Sequence, residues 1–296
     1  EAQLPTPLDE HTCHPGDRLA DTFGVNTHFA WNSSVYGGNV TQAVDLVNRL
    51  GARHVRERLA LKMAGQRQAF TALAGLGVGA HVTIGVFNQP TDFAAHAAYV
   101  KANLPLFTSV GGVNEPNNSP KPANWAAVTV AHQKGIWDSL NGVLPIVGPA
   151  LKDREATLAN DFAELKTLGI SRYLDFGDFH RYPMGDVPTN GLAERQAMAS
   201  ATVAGKPLYA TEGGYNTSVG ATTGGNAVTE AEQAIYAPRH LLEMFAAGIE
   251  RFFIYELIDQ DTGGAWPGNW GLVKAPSNDP ATWQVKLAFS ALATLI

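Results

Sequence analysis

Short apolar runs, rich in β-branched and aromatic residues, alternate along this chain with longer stretches of helical period. The runs fall at 23–29 (FGVNTHF), 54–59 (HVRERL), 79–87 (GAHVTIGVF), 107–114 (FTSVGGVN), 145–151 (PIVGPAL), 174–182 (LDFGDFHRY), 207–213 (PLYATEG) and 251–258 (RFFIYELI). Each is short enough for a strand and is bounded by turn-forming residues. Between the first two, residues 41–50 place Ala43, Leu46, Val47 and Leu50 at i, i+3, i+4 and i+7, one face of a helix. Gly51 follows, the usual left-handed stop. The same reading gives helices over 66–76, 92–104, 123–140, 157–168, 190–204, 229–247 and 282–295. Three junctions (LAGLGVGAHV, LKTLGISRYL, FAAGIERFFI) repeat one device, in which an apolar helix end meets a glycine two or three residues before the next strand.

Strict alternation of eight strands with eight helices means parallel strands joined by crossovers. Eight such units in about 250–300 residues predict an α/β fold of the (β/α)8 type, a TIM barrel. It forms a single domain over 1–296, with 1–22 an irregular N-terminal segment. An open doubly wound sheet is the competing arrangement. It carries a Gly-rich phosphate turn after its first strand, and FGVNTHFAWNSS has no G-x-G-x-x-G.

Composition narrows the function. The 296 residues are 45% hydrophobic and 16% charged, as in globular proteins, and no run of about 18 apolar residues marks a membrane span. A net charge of −6 argues against a nucleic-acid partner and favours a neutral or weakly charged substrate. Cys13 is the one cysteine, which rules out an internal disulfide. His11, Cys13 and His14 (HTCHPG) are metal-ligating types without a second ligand pair at a recognised spacing. EAQLPTPL reads as a tail left after removal of a leader, so a secreted protein, extracellular or periplasmic, is expected.

In such a barrel chemistry gathers at the C-terminal strand ends. The first strand supplies Asn26 and His28, the second Arg56 and Arg58, and the fourth Asn114-Glu115. The sixth gives His180 and Tyr182, the seventh Glu212, and the eighth Tyr255 and Glu256. By strand alternation Glu115 shares a face with Ser109, Gly111 and Val113, and Glu212 one with Leu208 and Ala210. Fourth and seventh strands lie three positions apart around a ring of eight, so the two glutamates can face each other across the mouth. Like charges at close range keep one carboxyl protonated and the other ionised. Retaining glycosidases need such a pair, about 5–5.5 Å apart: one acid protonates the leaving oxygen while the other attacks the anomeric carbon.

Asn114-Glu115-Pro116 on a fourth strand, ATEGG (210–214) on a seventh and His180-x-Tyr182 on a sixth resemble clan A of the glycoside hydrolases, which are retaining (β/α)8 enzymes. The order of parts matches over 23–296. The resemblance implies that Glu115 is the acid/base and Glu212 the nucleophile. It implies that Asn114 binds the sugar 2-hydroxyl, that Tyr182 donates to Glu212, and that Arg56 keeps Glu212 ionised; in the competing reading Arg56 merely pairs with Glu57 or with an acid of a neighbouring strand. His180 would steady the nucleophile side or touch substrate. Many clan members carry a tryptophan at the end of the eighth strand. This chain has IYELIDQD there, so Tyr255 or Glu256 would shape the sugar platform.

A pyranose packs its C–H face on aromatic rings. Trp31, Trp266 and Trp270 sit in catalytic-face loops and are platform candidates. Trp125 is a further one, while Trp137 and Trp283 lie at helical positions and read as core. The Gly/Thr-rich stretch 213–228 is long for such a connection and reads as a lid or as a surface loop. Asn-x-Ser/Thr matches at Asn32, Asn39, Asn117 and Asn216 are taken as chance, since the last two flank the acids. The expectation is a monomeric, endo-acting glycosidase with a carbohydrate substrate and no metal or organic cofactor. The rival readings are a catalytically silent carbohydrate-binding barrel and a metal-dependent barrel, which would need clustered His and Asp ligands.

Overall fold

The computed structural model describes residues 16–153, 156–219, 226–260 and 268–296. Eight parallel strands form the barrel: β1 (Phe23–Asn26), β2 (His54–Arg58), β3 (Gly79–Thr83), β4 (Phe107–Gly111), β5 (Ile146–Val147), β6 (Gly177–His180), β7 (Leu208–Gly213) and β8 (Arg251–Ile254). Their order is β5-β4-β3-β2-β1-β8-β7-β6, and the seam is joined by a parallel bridge between Val147 and Phe176. This is the expected (β/α)8 barrel. Helices α1 (Gly16–Thr22), α2 (Val40–Leu50), α3 (Ala64–Gly75), α4 (Phe93–Ala102), α5 (Trp125–Leu140), α6 (Leu158–Thr167), α7 (Leu192–Thr202), α8 (Glu230–Ala246) and α9 (Leu287–Leu295) accompany it.

Local chemistry explains the boundaries. α2 buries Ala43, Leu46, Val47 and Leu50 and stops where Gly51, at φ +79°, turns its N–H back to Asn48. α8 opens on a capping box between Thr229 and Glu232. The expected fifth strand (145–151) is cut to two residues because Pro149 has no N–H to offer a ladder. Part of the segment expected to be irregular, Gly16–Thr22, is helical. The expected helix over 282–295 begins only at Leu287. Before it lie a 3-10 turn (Pro280–Thr282) and Gln284–Val285, which pairs antiparallel with Val273–Lys274.

Most apolar burial lies between strands and helices, where Val55, Val82, Val110, Ala210 and Phe252 meet residues such as Leu46, Phe70, Ile136 and Leu241. A smaller cluster fills the barrel itself: Val147, Tyr209 and Phe253, with Phe176 against them. Small residues opposite large ones make room for it. A Cβ on Gly24 would lie 2.4 Å from Phe253 Cδ1, and one on Gly111 would lie 2.7 Å from His81 Nε2.

Gly24→Val is therefore expected to overpack the barrel and cost about 2 kcal/mol, read as a lower urea midpoint. Gly38→Ala, where a Cβ meets nothing within 4 Å, is the matched control. Equal midpoints for the two variants would contradict this account of the interior.

Candidate active site

Two backbone irregularities aim the glutamates. Glu115, just beyond β4, has a left-handed φ of +44°, a conformation that costs a non-glycine residue about 1–3 kcal/mol and persists where the surroundings enforce it. Its N–H donates to Ala150 O at 3.0 Å and its carbonyl accepts from Asn118 N at 3.0 Å. Pro116 follows and cannot extend the ladder. On β7 the irregularity is a register shift: Phe179 pairs with Ala210, but His180 pairs with Glu212. Leu208 and Ala210 face the helices, and Tyr209 fills the barrel. The expected shared face of Glu212 with Leu208 and Ala210 is thus incorrect, because the extra residue, Thr211, resets the alternation.

Around Glu212 the polar groups converge. Arg56 Nη1 donates to Glu212 Oε1 at 2.7 Å and to Asn26 Oδ1 at 3.0 Å, and its Nη2 donates to Asn114 Oδ1 at 2.5 Å. Tyr182 donates its phenolic O–H to Glu212 Oε2 at 2.7 Å. His180 Nδ1 lies 2.9 Å from Glu115 Oε1 and 3.4 Å from Glu212 Oε2. One oxygen of each glutamate and the imidazole nitrogen all fall within 4.8 Å of one another. The Glu115 side chain is 21% exposed and that of Glu212 9%, so Glu115 faces the opening and Glu212 the floor.

Burial works to raise the Glu212 pKa, but His180, Arg56 and the Tyr182 hydrogen bond outweigh it and hold it below the ordinary 4.5. Burial likewise pulls His180 down, and Glu212 and Glu115 outweigh it, lifting the imidazole above 6.5. Burial and the neighbouring Glu212 push the Tyr182 phenol well above 10, so it stays a donor. Glu115, His180 and Glu212 are metal-ligating types, yet Arg56 already occupies Glu212 and His180 Nδ1 is taken by Glu115.

Above this floor is a cavity of about 480 Å³. One wall is aromatic. His28 stacks on Trp31 at 4.1 Å, and Trp270 packs edge-on against Tyr182 at 5.1 Å and Tyr255 at 6.4 Å. Trp31 is 41% exposed, Trp270 only 4%. Glu256 is buried, 2.9 Å from His28 Nε2 and bonded to Gln260, so it braces the wall from behind. Trp125 is buried with its Nε1 donating to Glu164, away from the site. Trp137 and Trp283 pack against the core. Trp266, His11, Cys13 and His14 lie outside the described residues, as do 220–225 of the expected lid. The lid's described ends are tied down by Thr217 N to Asn269 O and Val228 N to Asn216 O. Asn117 and Asn216 are buried, in keeping with their sequons being chance matches.

Two acids that sequence reasoning missed organise the loops. Glu57 does not pair with Arg56. It alternates to the other face of β2 and accepts from Phe29 N (3.0 Å), Ala30 N (3.1 Å) and Gln66 Nε2 (2.6 Å). Burial pushes its pKa up to about 7. Asp153, also buried, accepts from Tyr182 N (2.8 Å), Arg195 Nε (2.9 Å) and Arg181 Nη1 (3.1 Å). The only sequence signal for Glu57 was its alternation between two arginines, and Asp153 carried none.

No family model matches the chain, and no curated protein does. Solved structures do. A family 39 glycoside hydrolase from Bacteroides cellulosilyticus WH2 superposes with TM-score 0.71 at 16% identity, covering 95% of this chain, which spans 64% of that one. An endo-β-1,3-glucanase of family 128 from Amycolatopsis mediterranei, in complex with laminaritriose, gives 0.60 at 16%, covering 93% of this chain and 100% of its own. A family 17 β-1,3-glucanosyltransferase from Rhizomucor miehei gives 0.63 at 18%, covering 86% and 93%. What the chain shares with them is the (β/α)8 barrel fold.

Two measurements test the site. His180 is expected to titrate above the ordinary histidine midpoint by NMR, and Glu115→Gln to lower that midpoint. A midpoint indifferent to Glu115 would contradict the contact. Asp153→Ala strands two arginines, one of them buried, and is expected to cost about 3–5 kcal/mol in urea denaturation, with Asp153→Asn costing less. A loss under about 1 kcal/mol would mean that the cluster is not load-sharing in this way.

Proposed function

We propose that this chain is a retaining glycoside hydrolase that cleaves an oligo- or polysaccharide by double displacement, with Glu115 as acid/base and Glu212 as nucleophile. The observation that carries it is the approach of the two carboxylates to within 4.8 Å. That spacing lies nearer the about 5–5.5 Å of retaining enzymes than the about 6.5–9.5 Å of inverting ones, which supports the retaining reading.

In the first step a Glu212 oxygen forms a bond to the anomeric carbon while Glu115 passes its proton to the departing glycosidic oxygen. In the second, Glu115 takes a proton from water, whose oxygen displaces Glu212 and restores both groups. Arg56 and Tyr182 each occupy one Glu212 oxygen, which orients the carboxylate and keeps it anionic between turnovers. Asn114 gives its carbonyl oxygen to Arg56, so its amide N–H₂ is the end left for a sugar hydroxyl. Trp31 and Trp270 offer the apolar face that a pyranose packs on. The Amycolatopsis and Rhizomucor proteins act on β-1,3-glucans, which supports a β-linked substrate here. Internal cleavage, a monomeric state and secretion complete the proposal. A silent carbohydrate-binding barrel would have no use for a nucleophile carrying both an arginine and a tyrosine, and that contact set favours the enzyme.

Glu212→Gln is expected to abolish turnover by at least about 10³-fold with an unchanged circular dichroism spectrum. Glu115→Ala should retain activity on aryl glycosides with good leaving groups and be rescued by azide. The first product seen by proton NMR should keep the anomeric configuration of the substrate. An inverted product, or full activity in both variants, would overturn the assignment.

A further inference from the structure

Arg58, at the end of β2, is not used by the mechanism above. It shares the inward face of β2 with Arg56, because Val55 packs against the helices and Glu57 turns the same way to meet Gln66 of α3. Two residues further along the strand, its backbone lies about 6.6 Å beyond that of the arginine that holds Glu212. Its side chain is exposed, lines the cavity, and makes no side-chain hydrogen bond or ion pair among the described residues.

The counter-charge is missing for a structural reason. Among the described residues each carboxylate that lines the cavity is already engaged: Glu57 with two backbone N–H groups and Gln66, Glu115 with His180, Asp153 with Arg181 and Arg195, Glu212 with Arg56 and Tyr182. The neighbour of Arg58 across the ladder is Thr83, which is neutral. A second cation, Lys152, lines the same cavity. An unpaired guanidinium over a sugar site presents a planar fork of donors matched to a carboxylate or a sulfate.

We propose that Arg58 forms a subsite for an acidic sugar unit, a uronate or a sulfated ring, bound beside the glycosidic bond to be cut. This rests on the glycosidase reading only in that the cavity takes a glycan. The inference replaces the neutral substrate suggested by the net charge, because the charge that a ligand meets is the local one.

The test is calorimetric binding to the full chain carrying Glu212→Gln, so that no ligand is consumed. Three trisaccharides of one linkage are compared: a uronate-containing one, its carboxyl-reduced neutral counterpart, and that counterpart bearing a sulfate ester. At least one acidic ligand should bind about ten-fold more tightly than the neutral one, and whichever does identifies the group recognised. Adding Arg58→Gln should remove the difference, whereas Arg58→Lys should keep part of it, and raised salt should shrink it. Equal affinities for all three, or a preference that survives Arg58→Gln, overturns the subsite. The two readings fail separately. Wild-type protein that binds acidic glycans through Arg58 yet cuts none removes the glycosidase and leaves the subsite. Wild-type protein that cuts neutral glycans and shows no acidic preference does the reverse.

Discussion

The guanidinium of Arg56 sits where four strand ends converge, and the mouth of the barrel is built around it. From β2 it donates to Asn26 at the end of β1, to Glu212 on β7 and to Asn114 beyond β4. Only 8% of the residue is exposed. A buried cation is tolerated only when its donors meet acceptors of good geometry, and here those acceptors are the side chains whose positions define the site. One electrostatic requirement therefore fixes Glu212, the amide beside Glu115 and the strand that backs them. Asn26 extends the constraint, since its own amide donates to Thr211 O and Ile254 O.

That constraint was half visible in the sequence. Periodicity and glycine-stopped helices displayed the barrel, because alternation of strand and helix is a local property repeated eight times. Strand-end position then brought out Glu115, Glu212, Arg56, Asn114, His180 and Tyr182, which the structure gathers around one floor. What alternation could not supply was the phase on β7. Tyr209 rather than Ala210 enters the barrel, and only the extra Thr211 returns Glu212 to the mouth. A register shift depends on pairing between strands, which no window along one strand contains. Glu57 and Asp153 escaped for a related reason: their ligands are backbone N–H groups and side chains from 9 to 42 residues away.

Charge had to be read at two scales. The net −6 describes the whole surface and governs encounter with distant polyions. It says little about a cavity whose carboxylates are each engaged by a neighbour. Arg58 and Lys152 both line that cavity, so a globally acidic protein can carry cations at the mouth of its barrel.

A common device holds the catalytic face around that cavity. Glu57 accepts the N–H groups of Phe29 and Ala30 in the loop that carries Trp31. Asp153 accepts that of Tyr182, and Asp259, paired with the buried Lys286, accepts that of Gly271 beside Trp270. Each acid is buried at the base of a loop, and burial pushes Glu57 up to about 7 and Asp259 up to about 6. A loop would ordinarily be the mobile part of a barrel. Anchoring its backbone to a desolvated carboxylate makes it behave as part of the scaffold, and the aromatic wall is then set before any ligand arrives. Preorganisation of this kind cuts the ordering cost of binding, and it is obtained here from polar groups whose side chains never touch the reacting atoms.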